Sequence, residues 1–247
     1  MEIKILTFNM HHGKGMDGKL DLGRIAHVIE DSEADLVGLN ELDRCFSQRS
    51  RYIDQLDWLA NRLHMYHAFG ESVTITSSKQ MIRQFGNAIL SRYPIVHVKN
   101  HLMNVSSMIL ERRTLLESCV VIHGHSLTFY VTHLSLNPVI KSRQVDFIIK
   151  KLRNNDQPVI LSGDLNLRPG TKLWHKMNEI LADVCRMSHP TPCYTFPSFR
   201  PMIQLDYIFV SRHIRTASVE VMRNIPRASD HLPLKATLTL PDFAFTD

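Results

Sequence analysis

Short polar runs that directly follow apolar runs are the first candidates for chemistry in this chain. Glu41 follows the apolar run 36–40, and Asp164 and Asn166 follow the apolar run 158–162. A carboxylate in such a position is either a solvated strand end or a ligand for a hard cation. Two short polar side chains two residues apart either face one pocket, where they can hold a water and a phosphate oxygen, or form an Asx-turn. Taken singly, the runs leave both interpretations open.

An adjacent carboxylate and imidazole, Asp230 and His231, precede the last apolar run. Neighbouring side chains point apart, so one can hold a metal while the other handles a proton. A histidine that acts as an acid or a base needs a partner that fixes its tautomer. Asp206 interrupts an otherwise apolar run, where an unpaired charge would be costly. We therefore predict a contact between Asp206 and His231.

Hydrophobic periodicity predicts the elements that position these residues. Three segments repeat apolar residues with helical spacing, and short β-rich runs lie between them. The helical repeats are 22–29, 56–63 and 145–152, with candidate N-caps Asp21, Asp54 and Asn137, the last followed by Pro138. The β-rich runs are 2–8, 35–40, 94–98, 114–122, 127–132, 158–162, 205–210, 217–222 and 234–240. This alternation predicts an α/β fold.

The two halves of the chain echo each other weakly. In the first half, a strand that ends in Asn9 leads through a helix to a strand that ends at Glu41. In the second half, a strand that ends in His133 leads through a helix to the strand before Asp164. Such echoes are common in strand–helix–strand chains. Both halves nevertheless place polar residues after the carboxyl ends of strands, where α/β sheets build their sites.

Length and composition limit the class of protein. The chain has 247 residues, 44% of them hydrophobic, and no biased stretch divides it, so we predict one domain over residues 1–247. Its net charge of +5 suits an anionic substrate, although scattered basic residues are also typical of solvated faces. The four cysteines lack CxxC spacing, so reduced thiols are expected. No apolar run reaches transmembrane length, and we predict a cytoplasmic protein and a monomer.

Seven stretches together resemble the endonuclease/exonuclease/phosphatase superfamily. This superfamily includes deoxyribonuclease I, exonuclease III-like abasic-site endonucleases, neutral sphingomyelinases and inositol polyphosphate phosphatases. Each stretch is short, but all occur in the order of the family and together span residues 6–234. They are Leu6-Thr7-Phe8-Asn9, Leu39-Asn40-Glu41, Gly86-Asn87-Ala88-Ile89-Leu90-Ser91-Arg92, Thr132-His133-Leu134, Gly163-Asp164-Leu165-Asn166, Leu205-Asp206-Tyr207-Ile208-Phe209-Val210 and Ser229-Asp230-His231-Leu232-Pro233.

The resemblance implies a four-layer α-β-β-α sandwich, in which two mixed β-sheets pack face to face with helices outside. It implies a Mg²⁺-dependent hydrolase of phosphoester bonds, a phosphodiesterase or phosphatase, in which an activated water attacks directly. Mn²⁺ is the alternative ion. Glu41 would be the principal metal ligand, with Asn9 beside it and Asp230 as a further ligand.

The same resemblance implies roles for the other matching positions. Asp164 would orient or deprotonate the water, and His231 with Asp206 would handle protons. Contacts to phosphate would come from His133 and Asn166. The remaining two candidates are Arg113, which would neutralise the substrate or brace the ligands, and Asn87, which would line the pocket or form a turn.

Histidine pairs also suggest zinc, but neither has the required spacing. Neither His11-His12 nor His123 with His125 matches a structural zinc site or a helical HExxH motif, and the second pair predicts a hairpin turn. His11 lies two residues after Asn9, where some family nucleases carry an acidic residue. This departure leaves the composition of the metal shell open.

The sequence does not identify the substrate. The tyrosine-bearing segment of abasic-site endonucleases is absent, and the version with His133 is shared by deoxyribonuclease-like, sphingomyelinase-like and phosphatase-like branches. The partner is expected to be a phosphoester, with nucleic acid and a phospholipid headgroup among the candidates. A DNA or RNA nuclease is the alternative enzyme, and a catalytically silent binding module is the alternative from another class. The loops expected to set specificity are 44–54, 72–85, 104–111 and 186–203.

Overall fold

The apolar runs become the strands of two β-sheets in a computed structural model, which describes residues 1–76, 80–103, 112–155, 157–225 and 227–241. In chain order the strands are β1 (Glu2–Asn9), β2 (Leu36–Arg44), β3 (Tyr66–Thr76), β4 (Ile82–Ser91), β5 (Ile95–Leu102), β6 (Thr114–Ile122), β7 (His125–His133), β8 (Val159–Asp164), β9 (Ala182–Asp183), β10 (Asp206–Val210), β11 (Arg215–Val221) and β12 (Leu234–Thr239). The helices are α1 (Leu22–Ser32), α2 (Gln55–Leu63), α3 (Pro138–Leu152), α4 (Lys172–Ile180) and α5 (Val184–Ser188).

Each sheet contains six strands. The first has the order β11-β12-β1-β2-β4-β3, and the second has the order β5-β6-β7-β8-β10-β9. At the centre of each sheet one pair is parallel, β1 with β2 and β7 with β8, and a helix connects the two strands of each pair. The echo between the two halves of the sequence therefore corresponds to two strand–helix–strand units, one in each sheet.

Strand alternation explains the layering of the molecule. Ile3 and Ile5 on one face of β1 belong to a core shared with residues of the second sheet, such as Phe129. Leu6 and Phe8 on the other face pack with residues of α1 and α2. A third cluster joins the outer face of the second sheet to α3 and α4. The predicted four-layer sandwich with helices outside is thus confirmed.

Helix starts follow the predicted capping pattern. Asp21 accepts a hydrogen bond from the backbone N–H of Arg24 before α1, and Asp54 caps α2 in the same way. Asn137 accepts from two backbone N–H groups at the start of α3, and Pro138 occupies the first helical position. These caps fix where each helix begins relative to the strand that precedes it.

The hairpin of β3 and β4 was not predicted. The expectation of a loop over 72–85 is wrong for residues 72–76, which belong to β3, and for residues 82–85, which belong to β4. Most residues of β3 are half-exposed or exposed because β3 is the edge strand, so the segment lacks the strong apolar alternation of a core strand. Helix α4 was missed for a similar reason, since it buries only Trp174 and Met177. The loop 104–111 lies outside the described residues.

The expectation of reduced cysteine thiols is wrong for one pair. Cys185 and Cys193 form a disulfide, because the chain turns back after α5 and brings their Cα atoms to 6.0 Å. Cys45 and Cys119 are free and half-buried. The predicted turn between the two histidines is present at His123-Gly124. Over the described ranges, no helix combines the length and apolar character needed to cross a lipid bilayer.

Candidate active site

Polar residues of four central strands meet at one edge of the sandwich. Asn9 ends β1 and pairs in register with Asn40 of β2, while His133 ends β7 and pairs with Asp164 at the end of β8. Because both pairs are parallel, their polar ends project at the same edge of each sheet. The packing of the two sheets then brings the ends together, so that Asn9 Nδ2 lies 3.1 Å from Asp164 Oδ2.

A bulge in β2 sets the position of Glu41. The pairing of β2 with β4 shifts register between Leu39 and Leu42, and the backbone of Glu41 has a left-handed φ of 59°. Bulges of this kind re-aim a side chain and are frequent beside active sites. Asn9 Nδ2 donates to Glu41 Oε1 at 3.2 Å, so the same amide contacts both acidic side chains. About a quarter of the Glu41 side chain is exposed, which leaves its carboxylate accessible from the edge.

Asp164 is the centre of the site. Besides Asn9, its Oδ2 has two imidazole neighbours, His133 Nε2 at 3.4 Å and His231 Nε2 at 3.7 Å. Burial, followed by the nearby charge of Asp206, raises the pKa of Asp164 to about 7. A carboxyl group with this pKa can exchange a proton near neutral pH, as a general base for water requires.

Glycine is required directly before Asp164. Gly163 has a φ of +139°, and a Cβ at this position would lie 1.8 Å from the carbonyl oxygen of Thr132 on β7. Any other residue would therefore push apart β7 and β8, whose ends carry His133 and Asp164.

Asp206 and His231 form the predicted pair. His231 Nδ1 and Asp206 Oδ2 are 2.8 Å apart, and Asp206 is fully buried. Burial alone would lower the pKa of His231, but the charge and hydrogen bond of Asp206 raise it to about 10. His231 therefore carries a proton on Nε2, the nitrogen that faces Asp164, over the neutral range. The ring of Phe196 packs against His231 at 4.8 Å between centroids.

Asp230 points away from its neighbour His231, as expected of adjacent side chains. Its Oδ1 lies 3.7 Å from His11 Nδ1, and one third of its side chain is exposed. Ser229 fixes this loop, because its hydroxyl donates to the backbone carbonyl of Asn9 at 2.7 Å. The loop before β12 is thereby attached to the end of β1.

His133 and Asn166 are two further neighbours of Asp164. Burial, followed by the charges of Arg113 and His231, lowers the pKa of His133 well below its usual range, so His133 is a neutral hydrogen-bonding group. The backbone N–H of Asn166 donates to Asp164 Oδ1 at 3.0 Å. Its side-chain amide donates to the carbonyl oxygen of Leu134, which holds Asn166 beside the strand end that carries His133.

Comparison with known proteins shows the family of this chain. The model of the Endonuclease/Exonuclease/phosphatase family matches residues 6–231. The chain belongs to this family. Members of the family are phosphatases, phosphodiesterases or nucleases, which generally hydrolyse phosphoesters, and the fold generally binds a divalent metal.

Individual relatives cover nearly the whole chain. The uncharacterized protein YbhP of Escherichia coli K12 is 26% identical over an alignment of 250 positions that covers 96% of each chain. The endonuclease/exonuclease/phosphatase structure from Beutenbergia cavernae superposes with a TM-score of 0.81 at 24% identity, covering 97% of this chain and 72% of the other. The mannosyl-6-phosphatase Bt3783 of Bacteroides thetaiotaomicron superposes with a TM-score of 0.76 at 17% identity, covering 96% and 100%. These two structural matches show a shared fold.

Arg113 and Asn87 differ in burial. Arg113 is half-buried just before β6, close enough for its charge to lower the pKa of His133. Asn87 lies within β4 rather than in a turn, and its amide donates to Thr114. Its Oδ1 accepts a hydrogen bond from Asn40 at 2.9 Å, so both ends of its side chain are engaged behind the pocket.

Asn40 is a positioning residue that the sequence reasoning did not identify. Its Oδ1 accepts the backbone N–H of Asp164 at 2.8 Å, and its amide donates to Asn87 and to the carbonyl of Thr132. This fully buried side chain therefore connects the two sheets directly beneath the site. Its place at the end of an apolar strand, next to Glu41, was the available signal.

Lys141 and Arg49 are two further cations near the site. Lys141, in the first turn of α3, donates through Nζ to the carbonyl oxygen of Asn166 at 2.5 Å. Arg49 forms two hydrogen bonds to Asp43, which is fully buried, at 2.7 and 2.9 Å. Arg49, in the 44–54 loop, is therefore paired with Asp43 of β2.

The donors at the edge fit a divalent cation. Glu41 and Asp230 offer partly exposed carboxylates, and the amide oxygen of Asn9 accepts the backbone N–H of His11. Oxygen donors led by carboxylates suit Mg²⁺ or Mn²⁺. Among the residues that the structure describes, two further groups of donors converge: His11, His12 and Glu41, and Asp164, Asp206 and His231.

Proposed function

We propose that this protein is a Mg²⁺-dependent hydrolase of phosphoester bonds, a phosphodiesterase or phosphatase, that uses direct attack by water. The observation that carries the proposal is the convergence on Asp164 Oδ2 of Asn9, His133 and His231 at 3.1 to 3.7 Å. A buried carboxylate with a pKa near 7, set between an amide and two imidazoles, can hold a water and accept its proton.

The ligands assigned to the ion are Glu41, Asp230 and Asn9. When bound, Mg²⁺ would neutralise charge on the phosphoryl and leaving oxygens, which is the main requirement of phosphoester hydrolysis. Mn²⁺, with similar oxygen preference, is the alternative ion.

Some of the protein residues act on the attacking water, and the others act on the phosphoryl group. Asp164 orients the water and accepts its proton as the oxygen approaches phosphorus. His231, kept cationic by Asp206, directs its Nε2 proton into the same space, where it stabilises negative charge on the phosphoryl group. His133 and Asn166 flank Asp164 and contact the phosphate, and Arg113 adds positive charge beside His133. No covalent enzyme intermediate is required, because water itself is the nucleophile.

The test compares wild-type protein with Glu41→Gln, Asp164→Asn and His231→Gln after removal of metal by EDTA. Substrates are bis-p-nitrophenyl phosphate, a generic diester, and p-nitrophenyl phosphate, a generic monoester. Wild-type turnover should vanish with EDTA and return with Mg²⁺, and each variant should lose about 10²-fold or more while remaining folded. His27→Gln, an exposed histidine on α1, serves as the matched control. Near-normal turnover by any of the three variants removes that residue from the mechanism.

A nuclease is the second candidate, and the net charge of +5 favours it among the alternatives. Binding to duplex DNA that weakens steeply with salt would support a nuclease, whereas salt-independent hydrolysis of small phosphoesters would support the first proposal. The structural similarity to a mannosyl-6-phosphatase supports including sugar phosphates in the substrate screen. Cytoplasmic location and a monomeric state stay predictions from the sequence.

A further inference from the structure

The turn between β1 and α1 has an unusual backbone. His11 and His12 both have a φ of 45°, and Gly13 continues the left-handed run at 77°. Two consecutive non-glycine residues in this region each cost on the order of 1–3 kcal/mol. Such strain persists only where the surrounding structure enforces it, and it is concentrated at functional sites. The strained backbone therefore indicates that the side chains of this turn have a function.

Buried contacts hold this turn in place. Gln55 of α2 is fully buried, and its amide donates to the carbonyl oxygen of His12 at 2.7 Å. The oxygen of Gln55 accepts the backbone N–H of Asp43 at 3.0 Å, which attaches the turn to β2 just beyond Glu41. A Cβ on Gly13 would lie 2.8 Å from a methyl group of Leu22, so the turn packs directly against α1. His12 is consequently fixed in the interior with 7% of its surface exposed.

The strained turn directs two imidazoles at Glu41. One ring nitrogen of His11, one of His12 and a carboxylate oxygen of Glu41 all lie within 4.8 Å of one another. His12 Nδ1 is buried and has no hydrogen-bond partner among the described residues. A buried unpaired imidazole nitrogen is costly, and in the tautomer protonated on Nε2 it offers its lone pair to a cation. The cation of Arg49 is also close to His12, but its charge is compensated by buried Asp43 at 2.7 Å.

We propose that His11, His12 and Glu41 form a binding site for a divalent first-row transition ion of the Mn²⁺, Co²⁺ or Zn²⁺ class. Two imidazole nitrogens beside one carboxylate suit such ions, whereas Mg²⁺ prefers oxygen donors and retains much of its water. The inference rests on the proposed function to the extent that both assign Glu41 to metal. It predicts that this chain binds a transition ion more tightly than Mg²⁺.

The test uses Mn²⁺ added to EDTA-treated, dialysed full-length protein, so that the readout is independent of activity. Continuous-wave electron paramagnetic resonance measures free Mn²⁺ and hence affinity, and pulsed measurements detect coupling of the bound ion to imidazole nitrogen. The variants are His11→Asn, His12→Gln, the double variant, His133→Gln and Glu41→Gln, with His27→Gln as the surface control. His11→Asn tests the site even if His12→Gln disturbs the strained turn, because His11 is partly exposed.

Wild-type protein should bind Mn²⁺ with nitrogen coupling, and Mg²⁺ should compete weakly. Each histidine substitution in the turn should weaken Mn²⁺ binding by at least about tenfold, since even second-layer partners of metal ligands typically contribute that much. The double variant should lose the nitrogen coupling, and His27→Gln should match wild type.

Two results overturn the inference, and only the second also contradicts the proposed function. If Mn²⁺ binding depends on Glu41 but nitrogen coupling is absent, or disappears only in His133→Gln, the histidine site is wrong while Glu41 remains a metal ligand. If Mn²⁺ binding is unchanged in Glu41→Gln, the assignment of Glu41 to metal is wrong in both proposals.

Discussion

Replacing Asp206 with asparagine should destabilise the metal-free protein in a pH-dependent way. Burial alone would lower the pKa of His231, but the buried carboxylate of Asp206, 2.8 Å from Nδ1, raises it from 6.5 to about 10. Because the folded pKa lies above the unfolded value, the native state holds the proton more tightly. This stabilisation is fully present below about pH 6.5 and is lost as the pH rises through about 10.

The pKa change sets the size of the effect. Each pKa unit corresponds to about 1.4 kcal/mol, so a rise from 6.5 to about 10 gives a ceiling of about 5 kcal/mol. Asparagine can still accept the hydrogen bond from His231, and it removes a buried carboxylate whose Oδ1 has no partner among the described residues. We therefore expect Asp206→Asn to lower the free energy of unfolding by about 3 kcal/mol at pH 6 and by less than about 1 kcal/mol at pH 10.

Urea denaturation in EDTA from pH 6 to pH 10 measures this difference. Asp206→Asn, His231→Gln and the double variant form a double-mutant cycle. Each single variant should flatten the pH dependence of stability, and the double variant should lose little beyond the more damaging single variant. A loss that is the same at pH 6 and pH 10 would refute the assignment of the raised pKa to this pair.

Three other substitutions test the site. Asp164→Asn should reduce turnover by about 10²–10⁴-fold. Its free energy of unfolding at pH 8 should be unchanged or higher, because the substitution removes a buried carboxylate whose pKa is raised; activity assays and urea denaturation check the two results. Asn40→Leu should lower the free energy of unfolding by about 3–6 kcal/mol. Three buried groups would lose their partner, namely the backbone N–H of Asp164, Asn87 Oδ1 and the carbonyl of Thr132, and an unchanged urea midpoint would contradict this. Gly163→Ala should lower the melting temperature strongly, because the added Cβ would lie 1.8 Å from the carbonyl oxygen of Thr132. A wild-type melting temperature in calorimetry would show that β7 and β8 can move apart without loss of stability.

The sequence determined the central elements and their order. Helical periodicity and capping residues located α1, α2 and α3, because a helix that packs on a sheet must repeat its apolar residues and satisfy its first N–H groups locally. Asp206 was paired with His231 from the cost of an unpaired buried charge, and the two are 2.8 Å apart. Such features are encoded locally or by strong energetic penalties, so they can be predicted from one chain.

The hairpin of β3 and β4 and the disulfide between Cys185 and Cys193 could not be predicted in the same way. An edge strand has only a weak apolar pattern, and cysteine spacing says nothing about how the chain turns back after α5. These features depend on contacts with the rest of the fold.

Tertiary structure alone decided what surrounds each candidate residue. Asn40 and Asn87 became a buried connection between sheets because packing brought β2, β4 and the end of β8 together. His11 and His12 lack any metal-binding spacing with each other, and their third donor, Glu41, comes from the neighbouring strand. A site made from separate strands acquires its geometry only when the sheets pack. The sequence therefore determined which polar side chains follow apolar runs, and the fold decided which of them lie close enough to share an ion, a proton or a hydrogen bond.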